Sequence, residues 1–286
     1  MIRSCLILGL MGLSKVALAA DIGDDIRKGS QSVTHDDGGY FEASVHAGCI
    51  YSARITDLTD NDNTDCDYGL GIGGEYRYKG LFFEGSSNTS DGLNLGYTLW
   101  SNTNWSVDLL AASVSGHLDL SDKQTDPEDL DLTESERNES NIDRDTFYAG
   151  AGTRITYFFG ENIFQFRLVT DIHDGNGIQA TARLGRAWQV RNWNLHGIAS
   201  LTYSSADLNQ YQIGINDREK TQWFPAYRPG SSIEASFEAG ATYPINEHWV
   251  SRTTLRYFPH SSTVRNSPLF DGNWSGSIST TLSYVF

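Results

Sequence analysis

Ionisable side chains recur at alternate positions inside otherwise apolar stretches of this sequence. Glu42 and His46, Glu75 and Arg77, Asp108, Arg154, Arg167, Arg183, His196, Glu234, Glu238, Arg252 and Arg256 are all placed this way. Five carboxylates face six arginines, and the two histidines are roughly neutral at pH 7. Such a set suits ion pairing and hydrogen bonding within an enclosure, since a selectivity ring needs an excess of one sign. Bracing of a narrow interior and a small conducting pore both fit it. Hydrolysis would need a Ser-His-acid set. His196 and Ser200 share a phase in one stretch, and Glu234 and Glu238 share one in the next. Serines are abundant and a buried histidine needs only a hydrogen-bond partner, so no catalytic residue is expected. No cofactor or metal is expected either. Asp60-Asn-Asp62-Asn-Thr-Asp65 has the look of a calcium loop but lacks the glycine at its sixth position and the closing glutamate.

The elements that position these charges follow from period-two alternation, which puts successive side chains on opposite faces of a strand. Apolar rows run through Phe41/Ala43/Val45/Ala47, Leu70/Ile72/Tyr76/Tyr78, Leu93/Leu95/Tyr97/Leu99, Trp105/Val107/Leu109/Ala111 and Phe147/Ala149/Ala151/Ile155/Tyr157. They continue through Phe164/Phe166/Leu168, Ile178/Ala180/Ala182/Leu184, Trp193/Leu195/Ala199/Leu201/Tyr203, Ile233/Ala235/Phe237/Ala239/Ala241/Tyr243, Trp249/Thr253/Leu255/Tyr257 and Ile278/Thr280/Leu282/Tyr284/Phe286. A weaker segment, Leu81 to Gly85, brings the total to about twelve. Every second connection is short (79–80, 101–104, 159–162, 190–192, 244–247), and all the long ones (about 52–66, 117–145, 204–229, 259–273) belong to the other set. That asymmetry predicts an all-β fold: a transmembrane antiparallel up-and-down β-barrel with short periplasmic turns and long external loops. Residues 41–286 form the barrel in this reading.

Aromatic placement agrees with a membrane setting. Trp100, Trp105, Trp188, Trp193 and Trp249 lie beside the short turns, with Tyr284 and Phe286 at the same level, as does a group that includes Phe82 and Phe158. Amphipathic rings favour the headgroup region, so these form an aromatic girdle. Arg186 is the one charge in phase with a lipid-facing row, close enough to a turn to snorkel. Arg3, the apolar run Cys5–Leu13 and Val16-Ala-Leu-Ala19 read as a signal peptide (1–19), followed by a periplasmic tail (20–40). Cys49 and Cys66 flank the first external loop in an oxidising compartment and are a disulfide candidate. The 117–145 loop carries eleven acids, which suits a solvated loop or a patch bridged through divalent cations to lipopolysaccharide. A formal net charge of −15 argues against nucleic acid as a partner.

Several stretches resemble the MipA/OmpV family of outer-membrane proteins of Gram-negative bacteria. They are Gly71-Ile-Gly-Gly-Glu-Tyr-Arg77, Leu93-Asn-Leu-Gly-Tyr-Thr-Leu-Trp100, Ala226-Tyr-Arg-Pro-Gly230, Tyr243-Pro-Ile-Asn-Glu-His-Trp249, Ser267-Pro268 and the terminal Ser-Tyr-Val-Phe286. The resemblance implies a monomeric barrel in the cell outer membrane, in contact with its lipid and lipopolysaccharide. A terminal strand ending in Phe286 also resembles the signal read by the barrel assembly machinery. The family's name-giving member implies a scaffold linking a murein transglycosylase to a murein synthase. Other members are linked to adhesion, osmotic response or uptake. No catalytic residues come with the family, and the acidic 117–145 segment and the cysteine pair are not features associated with it.

Overall fold

The computed structural model describes residues 37–53, 64–85, 93–113, 149–172, 177–217, 219–220 and 224–286. The proposed signal peptide and most of the tail, Asp60–Asp62 and the 117–145 segment lie outside the described residues.

Twelve antiparallel strands form one closed sheet in which β1 pairs with β12 and every other strand pairs with its sequence neighbours. They are β1 (Gly38–Tyr51), β2 (Thr64–Tyr78), β3 (Leu81–Gly85), β4 (Asn94–Ser101), β5 (Trp105–Ser113) and β6 (Ala149–Phe159). The second half comprises β7 (Asn162–Asp171), β8 (Ile178–Val190), β9 (Trp193–Ser204), β10 (Ser232–Pro244), β11 (Trp249–Pro259) and β12 (Trp274–Val285). The barrel begins at Gly38, three residues before the Phe41 boundary expected from the apolar row. Closure removes both sheet edges, which hydrocarbon requires because it cannot hydrogen-bond an unpaired strand. Burial alternates along each strand as the apolar rows demand: in β7, Ile163, Gln165, Arg167, Val169 and Asp171 are buried while Phe164 and Leu168 are exposed.

The short turns show their chemistry. Lys79 and Gly80 both adopt positive φ (50° and 85°), the twist that a two-residue hairpin needs. The β4–β5 and β10–β11 turns share another device. The Asn102 carboxamide accepts the N–H groups of Asn104 and Trp105 (both 2.9 Å), and Asn246 does the same for His248 and Trp249 (both 2.9 Å). Each asparagine therefore presets the turn immediately before a girdle tryptophan. At the turn end of β4, the register shifts between Thr98 and Trp100, which lets Leu99 and Trp100 both face outward.

Two aromatic positions differ from the sequence expectation. Phe82 and Phe158 turn into the barrel and are buried, not part of the girdle. β3 has only five residues, too few for alternation to set its phase. In β6 the run Tyr157-Phe158-Phe159 is apolar on both faces, and Phe158 packs inward on Ile163 and Ile198. An aromatic cluster that was not anticipated lies at the external end of β1, β11 and β12: Trp274 packs against Tyr51 (4.4 Å) and Tyr257 (5.7 Å).

The external mouth carries a small core of its own. Helix α1 (Ala206–Ile213) starts at Ser205, whose hydroxyl accepts the Leu208 N–H, and α2 (Ser262–Arg265) starts likewise at Ser261. Ile213, Ile215, Phe224, Val264, Leu269, Phe270 and Ala53 are buried together, with Tyr227 packed beside them. Leu208 reaches the inward-facing Val169 of β7, and Asn209 is fully buried with hydrogen bonds to the Gly230 carbonyl (2.7 Å) and Ser232 (3.1 Å). The loops after β9 and β11 thus fold into a lid seated on the barrel.

Candidate functional site

Among the described residues, three hydrogen-bonded ion-paired groups stand out on the inward face of the barrel. The largest centres on Arg154 of β6, whose guanidinium forks onto both oxygens of Glu84 (2.6 and 2.8 Å) and meets Asp108 through Nε (3.0 Å). Thr98 completes Asp108 (2.9 Å), and Arg77 joins Glu84 (3.1 Å) to Glu75 (2.8 Å). Phe82 lies between the two guanidiniums, its ring centre 5.1 Å from Arg77 and 5.0 Å from Arg154. Strands β2, β3, β5 and β6 are tied together across the interior by this one group. A second group joins His196 to Glu238 (3.0 Å) and Glu238 to Arg256 (2.7 Å) across β9, β10 and β11. The third joins Arg252 to Glu42 (2.6 Å) and Ser283 (2.9 Å), bridging β11 to β1 over the closing strand β12.

Arg167 and Arg183 are also buried and inward; Arg167 reaches Asn94 (3.4 Å) and Arg183 reaches Gln165 (3.3 Å). Glu234 is buried at the upper end of β10, where it accepts the Ser261 N–H (2.9 Å). His46 faces inward, 4.0 Å from Asp67. Glu84 was not among the residues singled out in the sequence, although it is the hub of the largest group. The available signal was its phase with Phe82, hidden because β3 is so short. Asp171, inward and buried at the top of β7, was missed for lying at a strand end.

Packing explains how these bulky groups fit. Gly240 lies directly across from His196, and Gly69 directly across from His46. A β-carbon at either glycine would collide with the imidazole it faces. Ser200 does not complete a catalytic set with His196: the imidazole is turned to Glu238, while Ser200 lines a cavity of about 20 Å³ with Arg183, Ser236 and Arg256. That is room for about one water molecule.

On the outer face, Trp105 stacks on Tyr157 (4.2 Å), Trp193 meets Tyr243 at a tilt (4.7 Å), and Tyr284 meets both Trp249 (5.3 Å) and Phe286 (5.0 Å). Trp100 and Trp188 are exposed at the same level. Arg186 reaches Glu161 in the β6–β7 turn (2.9 Å) and lies over the Trp188 ring (5.7 Å). Cys49 and Cys66 occupy directly opposed positions of β1 and β2 and are joined as a disulfide, with Cα atoms 4.0 Å apart.

An apolar exterior with aromatic belts, a charge-paired interior and loops segregated by length define a bacterial outer-membrane β-barrel. Comparison with known proteins supplies the family. Residues 43–286 match the family described as MltA-interacting protein MipA, and the chain belongs to it. The outer membrane protein Omp26La of Vibrio anguillarum is 27% identical over 208 residues, covering 72% of this chain and 71% of that protein. OmpV of Vibrio cholerae is 31% identical over 88 residues, and the MltA-interacting protein of Escherichia coli K12 is 32% identical over 85 residues. These last two alignments cover 31% and 29% of this chain and 34% of each relative. Among solved structures, the NanC porin overlaps 85% of this chain and 98% of its own with a TM-score of 0.45 at 9% identity. The protein resides in the outer membrane.

Proposed function

We propose that this protein is a closed outer-membrane barrel that works as a binding platform, with a murein transglycosylase as its partner. The observation that carries the closed-barrel part is the Arg154 group. Its side chains span the interior from β2 to β6, and their near-balanced charge leaves little excess of one sign to select an ion. The lid supports the same reading by placing a buried apolar cluster at the external mouth. The partner enters from the relative named MltA-interacting protein. A murein synthase as second partner, and the scaffold role that would join the two, follow from the family resemblance.

The periplasmic surface open to such partners consists of the turns at 79–80, 102–104, 160–161, 191–192 and 245–248, together with the segment before Gly38. A standard interface buries roughly 800 Å² per partner, so the segment before Gly38 is expected to supply much of the contact. Purified barrel should retain a murein transglycosylase in a pull-down, and a variant lacking residues 21–36 should retain markedly less. Absence of retention by the intact barrel would overturn the scaffold reading. A small-solute pore is the second reading; the polar inward positions Gln165, Gln179, Thr181 and Thr202 favour it. Contacts with lipopolysaccharide through the acidic 117–145 segment, recognition of the terminal strand by the assembly machinery and a monomeric state belong to the same proposal.

A further inference from the structure

His260 lies where β11 gives way to α2, buried beneath the lid. Its Nε2 meets the Ser275 hydroxyl (2.8 Å), its ring meets Phe270 edge-on (5.4 Å), and its Nδ1 is buried with no hydrogen-bond partner. The same Ser275 hydroxyl accepts the Ala53 N–H (3.1 Å), and Ala53 belongs to the lid core. The next residue, Ser261, caps α2 with its side chain and donates its N–H to Glu234 of β10. One histidine therefore touches the barrel wall through β12, the lid core through Phe270, and the hinge of α2.

We infer that His260 is a proton-sensitive latch that holds the external lid shut near neutral pH and releases it on acidification. This goes beyond the closed-barrel reading and describes how the closure is controlled. A protonated imidazole here has nowhere favourable to put its charge. Glu234 gives one oxygen to the Ser261 amide while its other oxygen is buried without a partner and makes no ion pair with His260, Arg256 of β11 is itself a cation engaged by Glu238, and β12 offers only the Ser275 hydroxyl. Arg265 and Asp271 of the lid segment are exposed, and Arg265 is turned to Asn273. Burial accordingly lowers the His260 pKa from 6.5 to about 4.

The direction of the pH effect follows. Above pH 6.5 the histidine is neutral whether the lid is closed or open, and closure is at full strength. Between 6.5 and about 4 the open lid takes up a proton that the closed lid refuses, so closure weakens as pH falls. Below about 4 both states are protonated and no further loss arises from this group. Over that window the closing equilibrium should drop on the order of 100-fold.

Hydrogen exchange on the intact refolded barrel tests the latch. The Ile215 and Tyr227 amides, each bonded to the other residue's carbonyl (2.9 Å), report on the lid. Their protection, corrected for intrinsic exchange, should fall on the order of 100-fold between pH 7.5 and 4.0, while amides of β6 to β8 stay protected. His260→Gln keeps a hydrogen-bonding partner for Ser275 but does not titrate, and should hold lid protection within a few-fold across the range. His260→Phe should do the same if the site accepts the ring. An equal loss in the glutamine variant, no loss in the wild type, or a parallel loss across the strands would each overturn the latch. Conductance by the wild type at pH 7.5 would sink the closed-barrel reading instead, and is read separately from exchange.

Discussion

The interior of the barrel and the lid at its external mouth are filled by opposite means. The interior is filled with ions: Arg154, Glu84, Asp108, Arg77 and Glu75 satisfy one another across four strands. The lid is filled with hydrocarbon: Ile213, Ile215, Phe224, Val264 and Phe270 cluster with scarcely a charge among them. Lipid surrounds the first region, so the hydrophobic effect has placed most apolar side chains outward and leaves the inside mainly to polar groups, with small apolar clusters such as Phe158, Ile163 and Ile198. Water surrounds the second, and there the usual rule of an apolar core holds. The two regions should therefore fail differently.

The largest expected effect comes from Arg154→Ala. It strands Asp108 in the interior without its cation and leaves Glu84 with Arg77 alone, and breaking a buried pair in this way costs roughly 3–5 kcal/mol. The thermal midpoint of the whole barrel, followed by circular dichroism, should drop while the lid remains ordered up to that transition. Ile213→Ala tests the other side. Removing a fully buried isoleucine costs about 3 kcal/mol, but here the loss should appear as faster exchange of lid amides with the barrel midpoint nearly unchanged. If both variants lower both quantities equally, lid and interior are one cooperative unit and the contrast fails.

Smaller effects sharpen the same contrast. Reducing the Cys49–Cys66 disulfide should lower stability by about 2 kcal/mol, seen mainly as faster exchange at the upper ends of β1 and β2. Arg186→Ala removes a pair whose side chains are 48% and 54% exposed, and exposed pairs contribute about 1 kcal/mol or less. Its barrel midpoint should stay within about a degree of the wild type, against the large drop for Arg154→Ala.

The barrel was legible in the sequence because a membrane strand declares itself twice, by the apolar phase and by the length of the loop that follows. Strands such as β7 and β10 show unbroken alternation, and their inward charges could be named from it. The failures lie where alternation is short or doubled. Five residues did not reveal that Phe82 and Glu84 point inward, and the three successive rings at 157–159 did not reveal that the middle one does. Pairing was invisible as well, because Arg154 meets Glu84 across a distance in sequence that only closure of the cylinder sets. The lid reads as loop in the sequence because its apolar residues follow no period. Ile213, Ile215, Phe224, Val264 and Phe270 come from two segments and meet only when β9 to β12 bring those segments to one mouth.

Single-channel recording in planar bilayers at pH 7.5 tests the central proposal most directly, since on that reading a barrel braced by ions and capped by hydrocarbon passes no steady current. The account predicts a flat baseline for the wild type, with Arg154→Ala the variant most prone to leak. Reproducible conductance steps from the wild-type protein would contradict it.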